Sequence, residues 1–327
     1  MTRTLWPLAL TLAACGDLPG DSGCDSCDCI THPAVITQYP EAGTDNVFYR
    51  ADLWMRTGST ASEQSLILND ADGNPVDGTV NSYQANSIQF VPAAHLTPGA
   101  AYALIQVTDT CEAMGIDFTV SDVGAPITDI DALAGHTWRV PMSEGRPPAD
   151  ALEKQAVIDL IAEDLLISIT SIDGTVLTAI SASTLDAGLE QNLCVPTTPV
   201  SLEIIEDPWG QGSIEPGYVG VQGAGVPTLG GTVSGAFSSD GIRLEGLKLR
   251  TVLDVDGANA ALDEDLCATL SQVGVSCETC PSGSGECMTF AADGLIGTDV
   301  GDTEVVPRTQ AEVEADSACQ TPTTTGA

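Results

Sequence analysis

The sequence is poor in positive charge, in aromatic side chains and in histidine. Its 327 residues include 10 lysines and arginines against 46 aspartates and glutamates, a formal net charge of −36. Aromatic residues make up 4% and there are 3 histidines. A field of this sign repels nucleic acid and anionic lipid surfaces, so we expect no nucleic-acid partner. A solvated acidic surface is the simplest explanation of the charge, and weak cation binding is the alternative.

Motifs for common catalytic chemistry are also missing. His32, His95 and His136 are far apart in the chain and none has the spacing of a zinc site. No Gly-x-Ser-x-Gly nucleophile elbow occurs, and Gly223-Ala-Gly225 lacks the third glycine of a dinucleotide loop. We therefore predict no catalytic residue, no cofactor and no metal ligand. Paired carboxylates for hydrolysis remain an open alternative because 46 acids offer many pairs.

The sequence also lacks a long apolar run. A membrane-spanning helix needs about 20 such residues. The run from Leu5 to Ala14 follows Arg3 and is shorter, at about ten residues, which is the length of a signal-peptide core. It ends in Leu12-Ala13-Ala14-Cys15. Residues 1–14 are therefore predicted to be a secretory signal peptide.

The residues that end this run resemble the lipobox of bacterial lipoproteins. The resemblance implies that Cys15 is acylated and that its acyl chains bind the mature protein to a membrane. Two or three acyl chains, at roughly 0.8 kcal/mol per buried CH₂, give stable anchoring. Because Gly16 stands where aspartate is the usual inner-membrane retention signal, the outer membrane of a Gram-negative bacterium is expected. An ordinary signal peptide with a chance cysteine is the alternative.

Cysteine is plentiful, with 11 residues. Those other than Cys15 divide into two even sets on either side of a boundary near residue 124. In an exported chain this favours disulfides within each half over zinc binding. Three pairings are possible for a set of four and fifteen for a set of six. The candidates are Cys24, Cys27, Cys29 and Cys111 in the first set, and Cys194, Cys267, Cys277, Cys280, Cys287 and Cys319 in the second.

Residues 15–32 are a turn-rich, cysteine-containing tether, and residues 33–122 carry short apolar strands separated by Gly, Asn, Asp and Pro. This pattern predicts an antiparallel sandwich. The segments that carry a resemblance are Pro40-Glu-Ala-Gly43, Asp72-Gly73, Ile88-Gln-Phe90-Val-Pro92 and Leu96-Thr-Pro-Gly99-Ala-Ala-Tyr102. They are similar to the bacterial Ig-like domain of the S-layer-protein type. That resemblance implies a spacer or adhesion module, with Tyr102 as a tyrosine corner.

The remaining segments are a linker at 123–134, a β-rich domain of unknown type at 135–298, and an acidic, Thr-rich tail at 299–327. Apolar spacing predicts a helix from Pro147 to about Asp164 and another over Ala260–Val273. We expect the tail to be disordered, with Cys319 as a tether. The predicted fold class is mainly β: an Ig-like sandwich followed by a disulfide-stapled β-rich domain with two short helices.

The strand from Ile242 to Val255 changes the phase of its apolar alternation at Gly246, which predicts a β-bulge there. Its opposite face carries Arg243, Lys248 and Arg250. These cations are a candidate face for an anionic ligand. Pairing with the surrounding acids is the alternative.

The leading functional hypothesis is a lipid-anchored, non-enzymatic envelope protein with a spacer, adhesion or binding role. Its partners would be the membrane, through Cys15, and an envelope or extracellular protein or glycan. A surface-anchored hydrolase with its site in residues 135–298 is the first alternative. A calcium-dependent adhesin is the second, although the Asp70–Asp77 cluster fits a hairpin turn better than a calcium loop.

Overall fold

The computed structural model describes residues 35–58, 64–83, 86–108, 111–161, 163–185 and 188–319, with the backbone alone at 64, 108, 111–114 and 153. The predicted signal peptide, Cys15, the tether, Cys24, Cys27 and Cys29 lie outside these residues. In the part of the chain that is described, no helix is long and apolar enough to cross a membrane. The described residues all belong to one compact unit.

The first module is an antiparallel sandwich. Its strands are β1 (Val35–Tyr39), β2 (Leu53–Thr57), β3 (Gln64–Asp70), β4 (Gly78–Tyr83), β5 (Ser87–Pro92), β6 (Ala101–Thr108) and β7 (Cys111–Thr119). One sheet has the order β1-β2-β5-β4 and the other β3-β6-β7. Leu53 and Ile88 from the first sheet meet Leu104 and Phe118 from the second in one core. The predicted Ig-like sandwich is confirmed.

Tyr102 is the corner residue of this module. Its hydroxyl accepts a hydrogen bond from the Thr97 amide at 3.0 Å, just upstream in the chain. Its ring stacks on Phe118 with 5.8 Å between centroids. The tyrosine-corner prediction is therefore confirmed.

The second module is one large antiparallel sheet. Its strands are β8 (Thr137–Val140), β9 (Leu165–Asp173), β10 (Val176–Ser183), β11 (Thr198–Glu206), β12 (Trp209–Ile214), β13 (Gly217–Val221), β14 (Ala224–Phe237), β15 (Arg243–Asp254), β16 (Glu278–Thr279) and β17 (Glu286–Asp299). The strand order is β12-β11-β10-β9-β8-β17-β15-β14, and β12 also pairs with β14. That pairing closes the sheet on itself and leaves β13 and β16 outside the ring.

Closure gives the second module an inside and an outside. Alternate residues of each strand point inward, as on β11, where Leu202 and Ile204 are buried while Glu203 and Ile205 are exposed. The inward residues form a core separate from that of the sandwich. This interior is the enclosed space in which a ligand could lie.

Gly246 forms the predicted bulge in β15. Between the pairs Leu244–Gly297 and Leu247–Leu295, β15 contains one residue more than β17. Gly246 takes a φ of +62°, which glycine adopts without strain. The extra residue keeps Leu244, Leu247 and Leu249 on the same buried face, as the alternation indicated.

Helices differ from the sequence prediction in extent. The described residues contain α1 (Gln155–Leu160), α2 (Val255–Leu262), α3 (Leu266–Ser271) and α4 (Gln310–Ala315), with 3-10 turns at Asp131–Leu133, Met142–Glu144 and Leu152–Lys154. The predicted helix at 147–164 is limited to the 3-10 turn and α1, because Ala151 before them and Ile161 after them have non-helical backbone angles. The predicted helix at 260–273 is two helices, because Asp263 turns left-handed and Asp265 caps α3.

The segment 299–319 is ordered, so the expectation of disorder is wrong for this part of the predicted tail, and residues 320–327 lie outside the described residues. Val305 packs on Leu166 and Ala182 outside the closed sheet, and the Thr197 amide donates to the Arg308 carbonyl at 2.9 Å. Thr309 and Glu312 form a capping box at the start of α4. Together with the contacts to distant residues, this cap orders a sequence that has little apolar residue content of its own.

Three disulfides join the cysteines of the second module: Cys194–Cys319, Cys267–Cys277 and Cys280–Cys287. The first bridges residues 125 apart and ties the end of the described chain to the loop before β11. The second staples α3 to the following loop. Disulfides of this number indicate an oxidising, extracytoplasmic environment.

Candidate functional site

The interior of the closed sheet holds an apolar cavity at the end where β10 finishes and β11 begins. Its volume is about 60 Å³, and we call it the upper cavity. Inward residues from the strands form most of the wall, and the segment between β8 and β9 adds two more. The apolar members are Met142, Ile161, Leu165, Ile167, Val200, Ile214, Val219, Val233, Leu249 and Phe290.

Hydroxyl groups also line the upper cavity, from Ser181, Thr198, Tyr218, Thr228 and Thr251. Thr198 donates to the Tyr218 carbonyl at 2.9 Å, and Thr251 donates to the Gly230 carbonyl at 2.9 Å. Both hydroxyls are thus already bonded to the wall. The cavity therefore presents mainly hydrocarbon to a ligand.

A β-hairpin crosses the end of the closed sheet above this cavity. β12 and β13 pair with β14 in one continuous register, with Ile214 opposite Gly231 and Gly217 opposite Thr228. A two-residue turn at Gln222 and Gly223, both with positive φ, closes the hairpin. We call residues 217–228 the hairpin flap.

Hydrogen bonds hold the hairpin flap against the rim. The Gly223 amide donates to Glu163 Oε1 at 2.5 Å, and the Gly220 amide donates to Ser183 Oγ at 2.7 Å. A β-carbon at Gly220 would overlap the Glu163 carboxylate, so glycine permits this close approach. The flap residues Tyr218 and Val219 are half-buried, which leaves a route to solvent beside them.

A second apolar cavity, the lower cavity, lies deeper in the closed sheet and has a volume of about 30 Å³. Trp138 and Phe237 form its floor, with their rings edge to face at 5.3 Å. The Trp138 indole donates to the Gly241 carbonyl at 2.9 Å, which satisfies the polar atom of this buried ring. Leu133 packs against Gly241 at the same end.

Ile167, Val200 and Val233 line both cavities. The two spaces are therefore neighbours inside the closed sheet, and these three side chains border both of them. Among the described residues that line either space, none is charged. In a chain with a net charge of −36, this uncharged interior is chemically distinct from the surface.

The loop next to the hairpin flap exposes leucines. Leu185, Leu189 and Leu193 are 45%, 50% and 42% exposed. The Asn192 side chain of this loop lies 3.4 Å from the Gly223 carbonyl and donates to it. The rim beside the upper cavity is thus locally apolar.

The cations of the chain concentrate where the sandwich meets the closed sheet. Lys248 pairs with Asp52 at 2.6 Å, and Arg50 pairs with Glu206 at 2.5 Å while lying over the Trp209 ring. Arg146 stacks on the Tyr39 ring, 3.5 Å from its centroid. Each of these contacts joins one module to the other, so we call this boundary the joint. A surface groove of about 270 Å³ runs along it.

The candidate anionic-ligand face lies at this joint. Arg243 contacts Asp122 and Glu245, Lys248 contacts Asp52, and Arg250 contacts Asp293 at 2.5 Å. All three predicted cations therefore have acidic partners, and pairing with the acid excess accounts for them.

Two carboxyls with perturbed pKa values belong to the same region. Burial raises the pKa of Glu245, against the opposing effect of the Arg243 charge. Burial likewise raises the pKa of Asp293, against the effect of Arg250. A hydrolase site would need such carboxyls in a substrate pocket. Neither carboxyl lines the two cavities inside the closed sheet, and Asp293 lines a small pocket of about 30 Å³ at the joint, together with Asp52.

The Asp70 turn has the geometry of a side-chain-capped hairpin. Asp70 accepts hydrogen bonds from the amides of Asp72 and Asn74, both at 2.9 Å. The bonds from Asn74 hold the pKa of the Asp70 carboxyl below its usual range. Within the described ranges, no group of three or more His, Cys, Asp or Glu side chains could hold a metal ion.

The residues of the interior site could not be selected from the sequence. Val200, Val233 and Leu249 look like ordinary strand residues, and the strand β17, which supplies Phe290, was not predicted. One sequence signal for the hairpin was available. Gln222-Gly223 separates two runs of equal length, which is the pattern of a hairpin turn.

Fold and site together define an extracytoplasmic, two-module β protein with an apolar interior in its second module. No protein-family model matches the chain, and no curated protein matches it. Solved structures with partial likeness include an LD transpeptidase, LdtMt1, in complex with imipenem, at 12% identity over 33% of this chain and 48% of that one, with a TM-score of 0.23. The chain thus spans about half of that structure.

Two further structures share part of the chain. The N-terminal Ig1-2 module of Drosophila receptor protein tyrosine phosphatase DLAR is 15% identical over 48% of this chain and 92% of its own, with a TM-score of 0.21. An uncharacterized protein, lmo2446 of Listeria monocytogenes EGD-e, is 12% identical over 70% of this chain and 22% of its own, with a TM-score of 0.18. Likeness at these TM-scores carries no argument about function.

Proposed function

We propose that the protein is a lipid-anchored, non-enzymatic binding protein of the cell envelope, with its ligand site inside the closed sheet. The acyl chains would be on Cys15, and the outer membrane is the proposed location. The sandwich acts as the spacer that carries the closed sheet away from the membrane. A small apolar molecule is the proposed ligand.

The observation that carries this proposal is the uncharged upper cavity beneath the hairpin flap. Its wall is mainly hydrocarbon, the Thr198 and Thr251 hydroxyls are bonded to backbone carbonyls, and Tyr218 and Val219 beside it are half-buried. Ligand sites in proteins are largely apolar concavities, and most of them, at about 300–1,000 Å³, are larger than this cavity. The joint between the modules supports the spacer role, because ion pairs and the Arg146 guanidinium over the Tyr39 ring hold the two modules together.

Binding is tested with benzene as the probe, using the full chain with Cys15→Ser so that no acyl chain is attached. Benzene at about five times its Kd stabilises the fold by about 1 kcal/mol, seen as a rise in Tm. Val200→Phe fills the cavity and removes the rise. Ile205→Phe, at a 60% exposed position on the same strand, retains it.

A Tm that is unchanged by benzene in the parent chain contradicts the binding proposal. An equal rise in the Val200→Phe protein contradicts the assignment to the interior. Anchoring is tested separately by membrane partitioning of the exported protein, where Cys15→Ser should move it from the membrane to the aqueous fraction. Continued membrane association of Cys15→Ser would contradict lipidation.

A further inference from the structure

We propose that the interior takes a single unbranched alkyl chain, inserted end-on past the hairpin flap so that its far end reaches Trp138. This proposal rests on the proposed function and names the ligand class of the same site.

The two cavities form one interrupted channel. The upper and lower spaces share Ile167, Val200 and Val233 as walls, so these side chains border both. Their volumes are about 60 Å³ and about 30 Å³. A compact ring would fill one space and leave the other empty. A narrow chain can occupy both only if these branched side chains change rotamer and the walls move apart, because the two volumes together are smaller than a chain of about ten carbons.

The length of the channel follows from β11. Thr198 lines the upper cavity and Leu202 lines the lower one, four positions further along the strand. At about 3.3 Å per residue this is a path of about 13 Å before strand tilt is considered. That path suits a chain of roughly ten carbons.

The chemistry of the walls excludes a charged chain. Thr198 and Thr251 have their hydroxyls bonded to backbone carbonyls, and no described residue of either wall carries a charge. An ionised headgroup inside would lose its hydration without gaining a partner. The polar end of the ligand must therefore remain at the rim.

The rim suits this orientation. Tyr218 of the hairpin flap lines the upper cavity and is half-buried, so a polar end beside it reaches water. The neighbouring loop exposes Leu185, Leu189 and Leu193, which offers an apolar surface next to the opening. An alkyl chain can leave an apolar phase along such a surface without crossing the acidic exterior.

The experiment measures quenching of tryptophan fluorescence by 10-bromo-1-decanol and by 2-bromo-1-decanol, with the full Cys15→Ser chain. Both compounds present the same alkyl chain, but only the first places bromine at the inserted end. We expect strong quenching by the 10-bromo isomer and little by the 2-bromo isomer. In Trp138→Phe the difference between the isomers should disappear.

Val200→Phe should weaken decanol binding by about tenfold or more, because Val200 borders both cavities. Ile205→Phe, which faces outward on the same strand, should leave it unchanged. A chain with bromine at its end and a phosphocholine head tests the source of the ligand. Quenching by this lipid also supports insertion and identifies a lipid as the donor of the chain.

Equal quenching by the two isomers, or none by either, overturns the alkyl-chain proposal. If the alcohols give one of these results but benzene still raises the Tm by binding in the upper cavity, the proposed binding function stands and only the ligand class is wrong. If neither benzene nor the alcohols bind, both proposals fail. Equal decanol binding by the Val200→Phe and Ile205→Phe proteins would also overturn the insertion path.

Discussion

The ring of Phe48 in the sandwich lies directly over Gly246 in the closed sheet. A β-carbon at Gly246 would overlap that ring. The residue that allows β15 to bulge thus also allows the Phe48 ring of the first module to pack directly against the backbone of the second. One glycine serves both the register of the second module and the joint.

Gly246→Ala should therefore destabilise the protein for two reasons. Crowding against Phe48 costs about 1–3 kcal/mol, and the φ of +62° adds about 1–2 kcal/mol of backbone strain. Urea unfolding measures the loss. Gly73→Ala is the matched control, because Gly73 has a φ of +82° with nothing near its missing β-carbon. Equal losses in the two variants would show that the Phe48 contact contributes nothing.

Lys248 and Asp52 should stabilise the joint together. Their side chains are 31% and 35% exposed, and the charged atoms are 2.6 Å apart. We expect a coupling of about 0.5–1 kcal/mol in a double-mutant cycle of Lys248→Met and Asp52→Asn, decreasing as salt is added. The measurement is urea unfolding at low and at high salt. If the changes in free energy of unfolding of the two single variants add up at low salt, the pair does not contribute to stability.

Glu245 should make stability depend on pH in the direction opposite to a usual surface acid. Burial raises its folded pKa above the unfolded value of about 4.3. Between those two values the folded state keeps a proton that the unfolded chain has released, so stability falls as the pH rises through this window.

The check is the free energy of unfolding of Glu245→Gln and of the parent chain from pH 4 to pH 8. The parent should lose stability relative to the variant as pH rises. Glu203→Gln, at an exposed position of β11, is the control and should follow the parent. A constant difference between Glu245→Gln and the parent across this range would refute the prediction.

Removing Cys194–Cys319 should cost more than removing Cys280–Cys287. The bridged residues are 125 apart in the first pair and 7 apart in the second. Chain entropy then gives about 5 kcal/mol for the first and about 2.5 kcal/mol for the second. Paired Cys→Ser variants, compared by urea unfolding, test the order. Cys194→Ser/Cys319→Ser should also make the segment with α4 sensitive to protease, and unchanged cleavage would argue against this anchoring role.

Local sequence patterns predicted several features of the fold because their physical causes are local. The change of phase at Gly246 required a bulge, since alternate residues of a strand must face alternate sides. The turn residues between the strands of the sandwich likewise marked its hairpins. Asp265 is a typical N-cap and therefore indicated a break between α2 and α3. The apolar spacing of Leu262 and Leu266 favoured one continuous helix instead.

The long strand β17 and the ordering of residues 299–319 were not predictable in this way. β17 contains Ala291, Ala292 and Gly294, which have weak strand preference, and it forms because β15 and β8 border it on either side. The segment after it is ordered by bonds to residues more than a hundred positions away, such as Arg308 to Thr197. No window along the sequence contains those partners.

The amino-acid sequence by itself determined the mainly β class, the division into a sandwich and a second β module, and the bulge at Gly246. It also determines the acidic surface and the number of cysteines that can pair. Tertiary structure alone decided that β12 meets β14 and closes the sheet, and that Arg243, Lys248 and Arg250 find acidic partners. It also decided that Ile167, Val200 and Val233 border two cavities. The physical reason is that alternation and turn chemistry act between neighbours, whereas closure, ion pairing and cavities depend on residues brought together from distant parts of the chain.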